Sequence, residues 1–429
     1  MAILSVNAWT VNTVQASGSL NPPAAYVPPG AGSQDYVWVE IIDKNLVSQG
    51  PVQFVSLTAQ LYYNAVGSWS MTVPYSDFLW NIIMAGDFFV NINWRGLFTF
   101  GGKCEVPGYV DSVPGAVGSG TYNGPFITLS GADYLGLIAN RIVYPTPSAA
   151  WSAQTAAGTD AVSAMKLESA IKHYVNNNVG PAALASRRLT GLTLGTDLAR
   201  GPSVSYTAKF GSGVDLNLMD VIRALIASGG SGNAMGVSLV RNPATHGLVF
   251  DTYVPRDLSG KAWFSRDLGN LTNIQFSLTD PTCTDALVQG SGTNFIQQTA
   301  SGTTQYNKTE VFNDSSSETV VANLNATAQQ AVLSGAAGPT LTATLAETPF
   351  LTFGRDYYLG DIVTIEVRPG SVYSDVITGV QFTADPAQTP ALAVTPTVGQ
   401  NANATATDQK IIGQLSARIR ALEKKLATK

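Results

Sequence analysis

Phe88-Phe89-Val90-Asn91-Ile92-Asn93-Trp94, followed after Arg95-Gly96 by Leu97-Phe98-Thr99-Phe100, decides the fold class. Apolar and polar residues alternate at period two through these runs, and glycine punctuates them. That is the pattern of half-buried strands. Working outward, Val37 to Ile42, Val52 to Tyr63, Trp69 to Val73 and Phe126 to Leu129 read the same way. Many short strands with turn residues between them predict a sandwich or barrel. One helix interrupts the block. It runs from Tyr75 to Ala85, with Phe78, Leu79, Ile82 and Ile83 on one face and Ser76 as its N-cap.

Beyond residue 130 the pattern becomes mixed. Helices are expected after Ser130, with Leu135, Ile138 and Ile142 facing inward and Pro145 as the stop, over Asp160 to Asn178, and over Leu216 to Ala227, closed by Gly229-Gly230. Val237–Val240 and Gly247–Tyr253 read as a hairpin, and Leu271–Leu278, Leu359–Val367 and Val376–Phe382 as strands. The polar stretch 291–349 leaves its structure open. Residues 384–407 have the composition of a linker. The fold class is therefore α+β and β-dominated.

Only 12% of the 429 residues are charged, against a usual share of about 25%. Ser, Thr, Asn, Gln and Gly must therefore cover much of the surface. With 24 basic and 29 acidic residues there is no basic field, and specific nucleic-acid binding is not expected. No apolar run approaches the roughly 18 residues that a membrane span needs. Met1 to Leu20 shows no basic and apolar pattern of a signal peptide.

The search for chemistry returns little. Phosphate-binding loops, HExxH, GxSxG and EF-hand motifs are not found. Cys104 and Cys283 are expected to be reduced and buried, although one disulfide is conceivable. A zinc site or a Cys–His pair would need these two with His173 and His246, and no ligand spacing supports it. Three carboxylates have structural readings: Asp133 in the first turn of a helix, Glu168 on a solvated helix face, and Asp361 in a turn. Catalytic residues, cofactors and metal ligands are accordingly expected to be none.

Two further patterns concern assembly. Gly86-Asp87 before Phe88–Ile92 is echoed by Gly360-Asp361 before Ile362–Glu366. In each case an apolar strand containing glycine follows, which suggests an internal duplication. Near the end, Ile412, Leu415, Ile419, Leu422 and Leu426 step by three and four, an a/d coiled-coil seam. Isoleucine at a with leucine at d leans towards a dimer. Arg418-Ile419-Arg420-Ala421-Leu422-Glu423 resembles a trimer-favouring pattern in which Arg418 reaches Glu423 across the interface. The trimer is the expectation, and about 19 residues cannot hold chains together unaided.

The ordered series then resembles a known family. Gly67-Ser68-Trp69-Ser70-Met71-Thr72-Val73-Pro74, Gly86-Asp87, Trp94-Arg95-Gly96 and Phe98-Thr99-Phe100-Gly101-Gly102-Lys103 come first. Ile127 to Leu135, Asn140 to Pro145, Asp220 to Leu225, Phe264 to Leu271 and Tyr358 to Val363 follow. Over roughly 35–400 the series is similar to the minor tail proteins of actinobacterial siphophages, which resemble the baseplate hub or tail-associated proteins of phage tails. The resemblance implies two related, tail-tube-like β-barrel domains. The first would span 1–148 and the second lie within 291–383, on either side of an α+β domain at 149–290. A linker at 384–407 and a coiled-coil helix at 408–429 would complete the chain. It implies a homotrimer that forms a pseudo-sixfold ring in the virion after synthesis in the host cytoplasm. The distal tail protein and tail tube would lie above the ring, and tape-measure, fibre or spike proteins below it. No catalytic residue carries over. An extracellular adhesin is the alternative reading, and a cell-wall hydrolase a more distant one.

Overall fold

The computed structural model describes residues 37–110, 125–210, 216–229, 234–271, 273–316, 318–336, 338–344, 348, 351–385 and 392–399. A four-stranded antiparallel sheet has the order β2 (Ser48–Val52), β1 (Val37–Asp43), β5 (Phe88–Trp94) and β6 (Phe98–Lys103). It packs on a ten-stranded sheet. The order there is β15 (Asn273–Thr279), β19 (Gly338–Thr344), β22 (Leu392–Gly399), β21 (Ser371–Ala384), β3 (Ser56–Tyr62), β4 (Ala65–Pro74), β8 (Phe126–Ala132) and β7 (Val106–Val110). Off this path, β20 (Ile362–Arg368) pairs with β21 and with the two-residue β14 (Trp263–Phe264). Helix α1 (Asp77–Met84) lies where expected, and the Ser76 hydroxyl accepts a hydrogen bond from the Leu79 amide at 3.2 Å.

The two sheets share one core. Val39, Ile41, Val90 and Ile92 face Leu57, Trp69, Met71, Ile127, Val380 and Phe382. Its centre is aromatic. Phe382 lies edge-on to Trp94 at 5.0 Å and stacks on Phe100 at 5.4 Å, and Phe353 meets Phe98 at 5.1 Å. Each such side chain, fully buried, is worth about 1.5–3 kcal/mol. Strand β21 also pairs directly with β3, from Gly379↔Tyr62 to Ala384↔Leu57. The first and last parts of the chain therefore build one sheet around one core. Two separate barrels were expected, and no closed barrel is found among the described residues.

The Gly-Asp likeness holds locally. Gly86 and Gly360 both have positive φ, at 110° and 87°, and each opens a strand of an antiparallel hairpin. The surroundings differ. Asp87 is exposed and pairs with Lys103 at 3.0 Å. Asp361 is buried and bonds to the Arg256 side chain at 2.6 Å, the Arg256 amide at 2.7 Å and the Tyr358 amide at 2.9 Å.

A second core fills the middle of the chain. Helices α3 (Leu167–Asn178) and α4 (Leu218–Ser228) pack with two small sheets. One joins β9 (Asp160–Lys166) to β11 (Ser203–Ala208), and the other has the order β10 (Leu192–Leu194), β13 (Gly247–Tyr253), β12 (Gly236–Asn242). Here the expected helix over 160–178 is half strand, because Asp160–Lys166 pairs with β11 and the helix starts only at Leu167. The helix expected after Ser130 shrinks to α2 (Gly136–Ala139), since Ser130–Ala132 remain in the sheet opposite Ser68–Ser70, and Ile142 is exposed.

The polar stretch 291–349 that the sequence left open holds β17 (Phe295–Thr299), β18 (Glu310–Asp314), α5 (Val321–Ser334) and β19, and β16 (Asp285–Gln289) lies just before it. The expected linker also needs correction. Residues 392–399 form β22, whose Val394 and Val398 are buried in the main core. Thr, Pro and Ala at its other positions conceal that alternation. The expected coiled-coil residues Ile412, Leu415, Arg418, Ile419, Leu422, Glu423 and Leu426 lie outside the described residues.

Candidate assembly surfaces

One face of the large sheet holds the core, so the alternate residues of the same strands must form the other face. These are almost all hydroxyls and amides. The pairings set them in rows: Gln381–Gln60–Ser68, then Thr383–Thr58–Ser70–Ser130, then Ser56–Thr72–Thr128. Thr395 continues the first row on β22. No charged side chain stands on these rows, and Glu105 comes only at their rim, beside Val106. Single Ser and Thr residues are ordinary on a solvated strand. A face without charge across five adjacent strands is an unusual concentration, and it gives the low overall charge a location.

Among the described residues both ends of that sheet are open, since β7 and β15 each have one neighbouring strand. Unpaired edges invite pairing with another chain unless something covers them. Beside β7 lies an apolar patch. Tyr109 meets Tyr75 and Trp80, each at 5.8 Å between ring centroids, while Phe78 and Met84 of α1 and Val106 of β7 are exposed. An aromatic cluster of this kind, with Asp77 at its margin accepting from the Tyr75 hydroxyl at 3.0 Å, has the make-up of an interface centre.

The residues weighed for chemistry are scattered. Cys104 packs in the main core and Cys283 in the small core under α5, and both are free thiols. Burial pushes the Cys104 thiol up to about 11, far from a reactive thiolate. His173 on α3 bonds to Asp160 Oδ1 at 2.7 Å, and His246 sits in the exposed β12–β13 turn with φ 48°. Among the described residues no three His, Cys, Asp or Glu side chains gather as a metal site.

Glu168 and Asp361 are buried, Asp133 is half-buried just before α2 rather than in a helix's first turn, and Glu168 corrects the sequence reading as well. Glu168 is fully enclosed rather than solvated, bonded to Lys172 at 2.8 Å, Arg200 Nε at 2.8 Å and the Thr252 hydroxyl at 3.2 Å. Burial pushes its carboxyl up, but Arg200 and Lys172 outweigh that and hold it at about 2. Asp133 has no such cation, and burial raises it to about 7 although the Gly67, Gly136 and Leu135 amides pull the other way. Sequence periodicity put Glu168 on the polar side of its helix. The partners that bury it come from residues 200 and 252, which spacing does not connect.

A family model described as Siphovirus ReqiPepy6 Gp37-like protein matches residues 38–400. The chain belongs to this family. The siphovirus reading of the motif series thus holds, and the β-dominated fold is that of a Gp37-like protein. No curated protein matches the chain. Solved structures similar to this Gp37-like chain include the 43 kDa tail protein of prophage MuSo2 from Shewanella oneidensis, at 10% identity and TM-score 0.49, with 85% of this chain and 97% of that one covered. A tail protein from Neisseria meningitidis MC58 follows at 12% identity and TM-score 0.46, covering 85% and 96%. Prophage tail protein gp18 from Listeria monocytogenes EGD-e is 14% identical at TM-score 0.44, covering 89% and 99%. No helix of the described Gp37-like residues is long and apolar enough to cross a membrane.

Proposed function

We propose that this Gp37-like chain is a structural protein of the siphovirus tail tip, a baseplate hub without enzymatic activity. Three copies form a ring at the distal end of the tail tube and link it to the tip, fibre or spike proteins. The observation that carries this reading is the continuous sheet built from early and late segments of the chain, with one uncharged hydroxyl face and, among the described residues, two open edges. Open edges at opposite ends of one sheet support head-to-tail contacts, which close into a ring when the rotation permits. The aromatic patch beside β7 supplies the desolvated centre that such a contact needs. Turned inward, the hydroxyl face gives a passage that neither retains a polyanion nor repels it strongly. The repeated Gly-Asp hairpins support a ring with six similar positions from three chains.

Labelling tests the location. A tag inserted in the exposed Glu366–Ser371 turn and detected on intact virions should mark the distal end of the tail. Label along the whole tube or on the capsid would contradict the proposal.

A further inference from the structure

Among the described residues the unit between β15 and β19 has an uncovered face. Thr279 and Gly338 are paired in the sheet, so the chain leaves and returns at one point, and everything between them is an excursion from a hairpin end. Strands β17, β16 and β18 form its sheet, and α5 covers one side through Leu324, Ala328 and Val332. That side is anchored to the rest of the molecule. Asn323 accepts from the Thr207 amide at 2.9 Å and donates to its carbonyl at 2.6 Å, while the buried Glu318 pairs with Lys209 at 2.8 Å. The opposite side presents Leu287, Phe295 and Phe312, which are 40%, 51% and 55% exposed. Leu287 and Phe312 are register partners, and Phe295 lies two pairs along on the same face, opposite Gln289.

Three observations point to one occupant. The first is where the chain goes next. Gly399, the last described residue, pairs with Thr340, two residues from Gly338. The onward chain therefore starts about 7 Å from the root of the excursion. Residues 400–407 can span roughly 28 Å, enough to cross a sheet whose strands are about 17 Å long. The second is charge. Asp285, Glu310 and Asp314 stand on the outer face of β16 and β18 beside Lys308 alone, which pairs with Glu310 at 2.7 Å, whereas 408–429 hold six basic residues against Asp408 and Glu423. The third is apolarity. Ile412, Leu415, Ile419, Leu422 and Leu426 form an apolar stripe when helical, and Leu287, Phe295 and Phe312 form an apolar strip of the kind that receives one.

We propose that the outer face of the β16–β18 sheet is the docking site for the helix at 408–429 of its own chain, with the seam on Leu287, Phe295 and Phe312 and its basic residues towards Glu310 and Asp314. The seam read as a self-association surface in the sequence thus has a partner within the same chain. The site does not depend on the ring, and its test is separate from the test of tail location.

Full-length protein carrying Phe312→Cys and Leu422→Cys is treated with a short bis-maleimide at low protein concentration, and the linked peptides are mapped. The native thiols are buried. A 312–422 link within a single chain is expected, while Thr58→Cys with Leu422→Cys, on the hydroxyl face, stays unlinked. Adding Arg418→Glu and Arg420→Glu, or raising the salt to about 1 M, should lower the 312–422 yield about tenfold if charge guides docking. Links only between the 422 positions of two chains would overturn the proposal in favour of self-association. Links from 312 of one chain to 422 of another would place the helix on a neighbour and likewise overturn the proposal. No link to 312 under any condition would leave the face to a different partner and also overturn the proposal.

Discussion

At the residue scale Glu168 and Asp133 make opposite predictions. The folded pKa of Glu168 lies below its ordinary value, so its ion pairs add stability above about pH 4.5, and that stability is lost as pH falls towards 2. Glu168→Gln leaves Arg200 without its buried partner and should cost about 3 kcal/mol at neutral pH. Urea melts at pH 7 and pH 3 check this, since the difference between variant and parent should shrink at the lower pH. Asp133 is raised to about 7, so the folded state holds its proton more firmly than the unfolded chain does. It therefore lowers stability as pH rises above about 4, with the loss growing until pH passes 7. Asp133→Asn should flatten the fall in melting temperature between pH 5 and pH 8. An unchanged pH profile would show that the carboxyl ionises freely in the fold.

At the element scale the excursion should be separable from the sheet that carries it. Asn323→Ala removes both bonds to the Thr207 backbone and leaves buried polar groups unpaired, at a cost of about 1–3 kcal/mol. Hydrogen exchange should quicken in β16–β18 and α5, with the Val380–Phe382 region of the large sheet unchanged. Equal loss of protection in both would mean that they unfold as one unit. The same elements show what the sequence could disclose. Strands β5 and β6, helix α1 with its Ser76 cap, α4 and the β12–β13 hairpin were legible because strong periodicity and turn chemistry agree there. Helix α5 was not, because alanines supply much of its buried side, at Ala326 and Ala328, and the apolar signal is faint. Strand β9 was read as helix because Ala-Val-Ser-Ala-Met suits either state, and pairing with β11 decides it. Strand β22 was hidden by its Pro and Thr residues. The hydroxyl face follows from register, which joins residues more than 300 positions apart and has no local signature.

At the scale of the whole molecule the claim is a ring. Phe78 and Tyr109 are exposed, so Phe78→Asp with Tyr109→Asp should leave the fold and its melting temperature nearly intact. As anchors of the contact between copies, they should weaken assembly by at least about 2 kcal/mol, or roughly thirtyfold, measured by light scattering across a concentration series. Unchanged assembly would move the contact elsewhere on the surface. The central claim is tested most directly by a density map of the tail tip in intact virions. The account predicts three copies of the 45.0 kDa chain around the tail axis, with Thr58, Ser70, Ser130 and Thr383 facing the passage. A single copy or a twofold pair at that position, or a threefold ring with the hydroxyl face turned outward, would contradict it.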